Sequence, residues 1–366
     1  MYAASLATAE PLTATPLTRR PQGDFSAACT QRLPGTTADG LVVPTSRGPR
    51  DYANLDHAAS TPALTVVAEA VERTLRTYAS VHRGNGFASR VTSEWYEQAR
   101  EEVARFIGAR EDDLVVFTRT TTDSWNLLAR TLPADTTVVV FASEHHSTLL
   151  PWGTRSSGAT VTLPVPRTVE DGLAWLDSAL AESTGAHTLV VVSGASNVTG
   201  EVWPVEKIVR VAHRHGARVA LDAAQLAPHR AIDLAASGVD YVAFSGHKTY
   251  APYGAGALVG RRDWLDNGTP HLAGGGAVRA VTHAEPDDAA PGTASATWAL
   301  APARHEAGSP NVIGAVALAA ACEELAALDP AALHAHEARL RARLVEGLTQ
   351  IPGVDVLSAW DDAVDP

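Results

Sequence analysis

Short runs of apolar residues alternate along this chain with longer segments whose apolar positions recur at helical spacing. This alternation is typical of strands buried on both faces and connected by helices, as in a mainly parallel sheet. The predicted strands are residues 114–117, 138–141, 189–192, 218–221 and 239–244, and the predicted helices are residues 64–80, 93–107, 170–181, 205–215, 312–328 and 331–349. The sequence therefore predicts an α/β fold with helices on both sides of the sheet, and residues 254–259 as a returning antiparallel strand.

Composition and charge narrow the class of protein. The 366 residues are 45% apolar and carry a net charge of −12 without a long basic run, which argues against nucleic-acid binding. The two cysteines, Cys29 and Cys322, do not have the spacing of a metal site or a disulfide framework. No apolar run approaches the roughly 20 residues that span a membrane, and the first residues do not resemble a signal peptide. We therefore expect a cytoplasmic protein that binds neither membranes nor nucleic acid.

Lys248 is one of only two lysines among the 29 basic residues, and it follows a predicted buried strand. Arginine supplies positive charge nearly everywhere else, so charge alone does not account for a lysine here. A lysine amine can lose its proton and form a Schiff base, whereas a guanidinium cannot. Lys248 is therefore a candidate for a reactive amine. The alternative is a lysine at a strand edge that extends its ammonium into water.

Polar residues follow four other predicted strands, at the sheet edge where ligands commonly bind. Residues 118–123 combine hydroxyls with the start of a helix, which favours either a phosphate site or an ordinary helix cap. His145 could stack on a planar ligand or transfer protons, and the adjacent His146 has no third residue at metal-binding spacing. Asn197 could contact a ligand oxygen or belong to a turn. Asp222 needs a cationic partner at the end of its apolar strand, unless it caps the next helix.

The ordered combination of these residues is more specific than any one of them. A phosphate cradle, a stacking ring, a polar contact, a carboxylate and a lysine at one sheet edge are what pyridoxal phosphate requires. A lysine carries that cofactor as a Schiff base, and a carboxylate keeps the pyridine nitrogen protonated so that the ring can accept electrons. The sequence therefore predicts a pyridoxal phosphate site and no metal ion.

The chain also resembles the class V aminotransferase family of fold-type I pyridoxal phosphate enzymes. The resemblance is closest to the group II cysteine desulfurases and selenocysteine lyases, and it extends from about residue 52 to the last residue. The motifs that carry it are residues 55–61, 81–84, 117–122, 144–146, 196–200, 222–225, 245–248, 274–276 and 306–311. The family implies an enzyme that acts on an amino acid, most simply a cysteine desulfurase-like C–S or C–Se lyase.

The resemblance implies a role for each matching position. Lys248 would bind the cofactor covalently and later move protons, Asp222 would pair with the pyridine nitrogen, and His145 would stack on the ring. Gln225 would contact the ring hydroxyl, and Asn197 would lie near the cofactor and the substrate carboxylate. The residues implied for the phosphate are Thr121, Thr122, Ser245 and His247. The expected catalytic residues are Lys248, His145 and Asp222.

The family also implies an assembly. Ser309 stands where the family has a threonine that reaches the partner subunit's phosphate, so we expect a homodimer with shared active sites; a sulfur-acceptor protein is a further implied partner. Two positions depart from the family pattern, since His57 replaces an Asn and Thr120 replaces a Gly. The segment 277–303 is longer than expected and carries a polar stretch, 283–293, at the predicted rim of the site. These departures are compatible with a substrate other than free cysteine.

Three regions are expected along the chain. Residues 1–50 have no sustained period and predict a flexible or irregular arm. Residues 51–312 would form the cofactor-binding large domain, and residues 313–366 the start of a small C-terminal domain. Residues 351–357 resemble the first strand of that small domain, and the family's substrate-binding arginine and nucleophilic cysteine belong beyond residue 366. The chain is then either a piece of a longer protein or one with a reduced small domain, and we expect the former because one strand cannot form a sheet.

The residues named above serve the cofactor and leave the reaction open. An aminotransferase or epimerase of specialised metabolism could use the same scaffold. A non-catalytic binding protein of this fold is a third alternative, and the intact Lys248, Asp222 and His145 argue against it. Cys29 lies in the arm and Cys322 in a predicted apolar helix, so neither matches the family's catalytic cysteine.

Overall fold

Helices and strands alternate along most of the chain in the computed structural model, which describes residues 33–155, 157–283 and 294–361. The strands are β1 (Val42–Val43), β2 (Arg50–Asp51), β3 (Leu114–Thr118), β4 (Thr136–Phe141), β5 (Thr160–Leu163), β6 (His187–Ser193), β7 (Arg218–Asp222), β8 (Tyr241–Ser245), β9 (Gly256–Gly260), β10 (Val278–His283) and β11 (Ala294–Trp298). The helices are α1 (Thr65–Leu75), α2 (Phe87–Phe106), α3 (Thr121–Thr131), α4 (His146–Leu149), α5 (Val169–Ala181), α6 (Val205–Arg214), α7 (Leu234–Ser237), α8 (Arg262–Asn267), α9 (Val312–Ala326) and α10 (Pro330–Thr349).

A seven-stranded sheet forms the centre of the molecule, in the order β3, β9, β8, β7, β6, β4, β5. The five strands from β8 to β5 run parallel, and β9 lies antiparallel between β3 and β8. This arrangement confirms the predicted α/β fold and the antiparallel return of residues 254–259. The edge strand β5 is absent from the prediction because its sequence alternates threonine with apolar residues and contains no continuous apolar run.

Successive residues of the central strands face opposite sides of the sheet, and each side has its own core. On one side, Val190 and Phe244 pack with residues of α2, α5, α6 and α9. On the other side, Val191 packs with Trp125 of α3 and Trp264 of α8. Because both faces are covered, a ligand can reach the sheet's polar groups only at the ends of the strands.

The helix α9 is apolar on all sides and is buried among α1, α2 and the sheet. Its Cys322 is fully buried, and burial raises the pKa of the thiol well above its ordinary value. This confirms the expected buried structural thiol, whereas Cys29 lies outside the described residues. The domain boundary at residue 313 stays a prediction; α9, on its C-terminal side, packs with elements of the large sheet.

The end of the described chain has two contrasting parts. The helix α10 buries none of its side chains, and its Leu340 and Leu344 are exposed. The expected strand at residues 351–357 is wrong for the described chain, because no neighbouring strand pairs with the segment, and Leu357 remains 76% exposed. Trp360, three residues further on, is buried against the large sheet's helices and loops.

Two short β pairs lie outside the central sheet. In the predicted arm, β1 pairs with β2, and the backbone N–H of Thr65 donates to the carbonyl of Gly35 at 3.0 Å, which ties the arm to α1. In the predicted rim segment, β10 and β11 form an antiparallel hairpin. Residues 1–32 of the arm and 284–293 of the polar stretch lie outside the described residues. Among the described helices, none has both the length and the apolar character needed to cross a membrane.

Candidate functional site

A cavity of about 470 Å³ opens at the carboxyl ends of β4, β6, β7 and β8. The strand order brings these ends side by side although they come from distant parts of the sequence. Nine of the ten predicted site residues line the cavity: Thr121, Thr122, His145, Asn197, Asp222, Gln225, Ser245, His247 and Lys248. The sheet topology thus brings these nine together, and Ser309 lies elsewhere.

The N-terminus of α3 forms one wall of the cavity, and the first backbone N–H groups of a helix have no partner within it. Thr120 caps this helix, since its Oγ1 accepts a hydrogen bond from the Asp123 backbone at 3.3 Å. The Ser245 hydroxyl accepts a hydrogen bond from the Thr121 backbone at 2.7 Å and lies 2.8 Å from Thr121 Oγ1. Gly256 on β9 permits this close approach, because a Cβ there would lie 3.2 Å from the Thr120 Cα. Hydroxyls and N–H groups at a helix N-terminus suit a phosphate group.

Asp222 ends β7 at the bottom of the cavity and is 4% exposed. Its Oδ2 accepts hydrogen bonds from Thr148 Oγ1 at 2.5 Å and from the indole N–H of Trp125 at 3.3 Å. Its Oδ1 accepts one from the Ala224 backbone at 2.9 Å. These donors hold the carboxylate in one orientation and stabilise its negative charge away from water. A carboxylate placed in this way can hold a cationic ring nitrogen.

Lys248 stands in a 3₁₀ turn, Gly246–Lys248, directly after β8, which neighbours the strand that ends in Asp222. Burial lowers the pKa of the Lys248 amine, and the charge of Asp222 acts in the opposite direction. A lowered pKa leaves a larger fraction of the amine uncharged at neutral pH. The uncharged amine is the form that attacks a carbonyl carbon.

His145 is the N-cap of α4, and it lines the cavity. Its Nδ1 accepts a hydrogen bond from the Ser147 backbone at 3.1 Å and lies 2.7 Å from Ser147 Oγ. Burial lowers the pKa of the ring, and the charge of Lys248 adds to this shift. Because Nδ1 accepts a hydrogen bond from an amide N–H, the neutral ring carries its own proton on Nε2.

Three further predicted residues complete the walls. The side-chain amide of Gln225 donates to the carbonyl of Ala58 at 3.0 Å. The backbone carbonyl of His247 accepts hydrogen bonds from the Thr61 backbone at 2.8 Å and the Thr61 hydroxyl at 3.1 Å. These bonds join the segment before α1 to the turn after β8. Asn197 is exposed at the cavity on the loop between β6 and α6.

Glu144 is a neighbour of the cavity to which the sequence motifs assigned no role. It is 6% exposed, and its Oε2 accepts hydrogen bonds from the backbone and hydroxyl of Ser193 at 2.9 and 2.5 Å. Burial raises the pKa of Glu144 to about 8; the Ser193 bonds act against this shift, and the negative charge of Asp222 adds to it. A carboxylate at the end of a buried strand is the signal that identified Asp222, and the same signal applies to Glu144.

Ser309 lines a separate cavity of about 220 Å³, together with Arg119, His271 and Glu306. Glu306 is held there by Arg100, whose guanidinium donates to both carboxylate oxygens at 2.9 Å. The structure therefore places Ser309 outside the cavity that contains Lys248 of the same chain. Its role towards a partner subunit concerns a second chain and stays a prediction.

Comparison with known proteins adds relatives to this geometry. A family profile described as Aminotransferase class-V matches residues 53–363. A probable cysteine desulfurase of Aeropyrum pernix is 40% identical over 323 residues, which cover 84% of this chain and 76% of the relative. A cysteine desulfurase of Dickeya dadantii is 37% identical, with 86% and 76% covered. The crystal structure of a cysteine desulfurase from Escherichia coli matches with a TM-score of 0.66 at 31% identity, over 81% of this chain and 73% of that chain.

Proposed function

Because the chain belongs to the class V aminotransferase family and is a cysteine desulfurase-like enzyme, we propose that the cavity at the carboxyl ends of β4, β6, β7 and β8 binds pyridoxal phosphate and cleaves the C–S bond of cysteine. Enzymes of this family depend on that cofactor. One observation carries the proposal. Asp222 ends β7, Lys248 follows the neighbouring parallel strand β8, and both line one cavity with the N-terminus of α3 in its wall.

The donor and acceptor groups of the cavity fit pyridoxal phosphate. The Asp222 carboxylate suits a protonated ring nitrogen, and the Lys248 amine suits covalent attachment. His145 offers a flat ring for stacking, and Gln225 offers an amide for the ring hydroxyl. The groups available to the phosphate are the hydroxyls of Thr121, Thr122 and Ser245, the ring of His247 and the positive end of the α3 dipole.

When bound, pyridoxal phosphate supplies an electron sink for the negative charge that forms at the Cα of an amino acid. Lys248 takes the proton from that carbon through its Nζ, for which its lowered pKa suits it. Asp222 holds a proton at the ring nitrogen, because Thr148 and Trp125 fix the orientation of its carboxylate. Asn197 orients the carboxylate of the substrate.

Spectroscopy with two lysine variants tests the proposal. We expect an absorption band in the near-ultraviolet to blue on adding pyridoxal phosphate, and borohydride reduction to leave the label on Lys248. Lys248→Ala should lose both covalent labelling and turnover. Lys207→Ala removes the only other lysine of the chain, from α6, and should retain both. Turnover by Lys248→Ala, or labelling only at Lys207, would contradict the proposal.

An aminotransferase or epimerase of specialised metabolism is the second candidate, because the residues that line the cavity suit the cofactor and are compatible with either reaction. Within the described residues the only cysteine is Cys322, buried in α9, so no described thiol can accept sulfur at the cavity. Desulfuration of cysteine yields alanine and passes the sulfur to a thiol as a persulfide, so the assay includes an added thiol. Alanine would support desulfuration. A keto acid or a change of configuration, without alanine, would support the second candidate.

We also propose a homodimer and a sulfur-acceptor protein as partners. The position of Ser309 supports the homodimer, because this residue faces a cavity distinct from that of Lys248. Light scattering should give the mass of two chains, and Ser309→Ala should weaken binding of pyridoxal phosphate. A monomer that binds the cofactor normally would contradict the shared site. An acceptor protein should raise the rate of alanine formation above the rate without it.

A further inference from the structure

The loop that carries Asn197 is closed at its base by backbone contacts. Ala195 pairs with Val202 in an isolated antiparallel bridge. The backbone N–H of Ser196 donates to the carbonyl of Glu201 at 2.9 Å. Asn197 therefore lines the cavity at one end of a compact loop, and Glu201 lies at the other end.

Glu201 is 3% exposed, and its carboxylate is surrounded by neutral N–H and O–H donors. It accepts hydrogen bonds from the hydroxyls of Thr199 and Ser358. The Ala359 backbone donates to both oxygens at 2.8 Å, and the Trp360 backbone donates to Oε1 at 3.4 Å. Burial would raise the pKa of Glu201, but the hydrogen bonds from Ser358 and Thr199 outweigh it, so the pKa is lowered. We call these five residues, Thr199, Glu201, Ser358, Ala359 and Trp360, the Glu201 cluster.

A second set of contacts holds the same terminal segment in place. The ring of Trp360 lies 4.7 Å from that of Trp203 in an edge-on arrangement, and Trp203 stacks on Phe141 at 4.9 Å. The Asp361 backbone donates to the carbonyl of Arg167 at 2.8 Å. The segment 358–361 is therefore fixed independently of Glu201, and Glu201 connects it to the loop.

We propose that Glu201 is a positioning residue, which fixes the loop of Asn197 by binding Thr199 and the segment 358–360 at the same time. The inference rests on the proposed function, because Asn197 matters only as a contact for the cofactor or the substrate. Through this connection, residues 358–360 set the position of Asn197 without lining the cavity. Loss of the Glu201 carboxylate frees the loop and weakens binding in the cavity.

Equilibrium titration of the apoprotein with pyridoxal phosphate tests this coupling. In Glu201→Gln, an amide NH₂ replaces an acceptor that faces donors, and we expect about tenfold weaker binding of the cofactor. Asn197→Ala alone should also weaken binding. If Glu201 acts through Asn197, the double variant should bind no more weakly than Asn197→Ala alone. Additive losses, or unchanged affinity in Glu201→Gln, would overturn the inference.

Two controls separate positioning from general stability. Asp361→Asn removes an exposed ion pair with Arg167 in the same segment, at 2.9 Å, and should leave cofactor affinity unchanged. Thr199→Val removes the hydroxyl between Glu201 and the loop, and should reproduce part of the Glu201→Gln loss. If Asp361→Asn weakens binding as much as Glu201→Gln does, the effect is general and the inference fails.

Hydrogen exchange of the apoprotein tests, without the cofactor, whether Glu201 fixes the loop of Asn197. The backbone N–H groups of Val198 and Thr199 both donate to Ser196 Oγ at 3.2 Å. Glu201→Gln should speed the exchange of these amides, while that of amides in β7 stays unchanged. Equal exchange in both proteins would overturn the inference. A wild-type chain that binds no pyridoxal phosphate would instead refute the proposed function, and the exchange result would still stand.

Discussion

Glu144 and Glu201 are both almost fully buried glutamates, yet the protein treats their charges in opposite ways. At Glu144, beside the cavity, burial raises the pKa to about 8. At Glu201, at the base of the loop, the pKa is lowered. Glu144 accepts hydrogen bonds from one residue, Ser193, and faces the negative charge of Asp222, whereas Glu201 accepts bonds from four residues. At Glu144, burial and the charge of Asp222 outweigh the Ser193 hydrogen bonds, whereas at Glu201 the hydrogen bonds outweigh burial.

The difference has a functional side. A neutral Glu144 adds no second negative charge beside Asp222, the residue proposed to hold the cationic ring nitrogen. Two adjacent buried carboxylates would repel each other. An ionised Glu201 instead joins two segments of chain through neutral donors. A glutamate therefore adds no charge beside the cavity, at Glu144, but supplies a negative charge at the base of the loop, at Glu201.

The largest effect is expected from removing the carboxylate of Asp222. We predict that Asp222→Ala still binds the cofactor covalently but turns over about 1,000-fold more slowly, because the ring nitrogen is no longer held protonated. Single-turnover kinetics on cofactor-loaded protein measures this. Asp240→Asn is the matched control: Asp240 is 3% exposed but outside the cavity, and its loss should lower stability without slowing turnover. An unchanged rate in Asp222→Ala would contradict the proposal that Asp222 holds the ring nitrogen protonated.

A pH titration of stability separates the two glutamates. The folded protein keeps the Glu144 proton up to about pH 8, whereas the unfolded chain loses it near 4.5. Between these values the folded state binds more protons, so stability falls as pH rises. Relative to Glu144→Gln, the unfolding free energy of the apoprotein should fall on the order of 3 kcal/mol from about pH 5 to 7.5. Parallel curves for the two proteins would show that Glu144 is ionised.

Glu201 should show the opposite dependence. Its lowered pKa stabilises the fold above the ordinary glutamate value of 4.5, and this contribution is lost as pH falls through the lower folded value. Glu201→Gln should therefore cost about 2 kcal/mol at pH 7, because donors lose their acceptor. The difference from the parent chain should shrink below about pH 4.5, which chemical denaturation at several pH values can follow. A difference that grows in acid would contradict this.

The smallest effect is expected at the rim of the Glu201 cluster. Arg167 and Asp361 form an ion pair at 2.9 Å, but both side chains are mostly exposed. Asp361→Asn should change the unfolding free energy by less than about 0.5 kcal/mol, and less still at high salt. A loss comparable to that of Glu201→Gln would mean that the segment 358–361 is held mainly by its surface charges.

The sequence predicts the sheet and the cavity well, because both depend on local patterns. Continuous apolar runs identify the parallel strands, and a polar residue at the end of each run identifies Asp222, Asn197 and Lys248. The edge strand β5 is missed because one of its faces is exposed and its sequence is half threonine. The strand expected at residues 351–357 fails because a strand needs a partner, which its own sequence does not provide.

Local sequence patterns do not predict the contacts that orient the side chains of the site. Trp125 and Thr148 bind Asp222 from two different helices, so their role depends on how α3 and α4 pack on the sheet. Glu201 meets residues that follow it by 157 to 159 positions in the chain. No spacing rule connects positions so far apart, and only the folded chain reveals them.

That separation has a consequence for biosynthesis. A ribosome adds about 5 to 20 residues per second, so the 157 residues from Val202 to Ser358 take roughly 8 to 30 s to make. All residues of β6, β7 and β8 are made before Ser358, the first of the later residues that donate to Glu201. Until then the Glu201 carboxylate can accept hydrogen bonds from the Thr199 hydroxyl and from water, but not from the segment 358–360. The loop of Asn197 acquires its final shape only after residues 358–360 have been made, when the strands of the cavity can already exist.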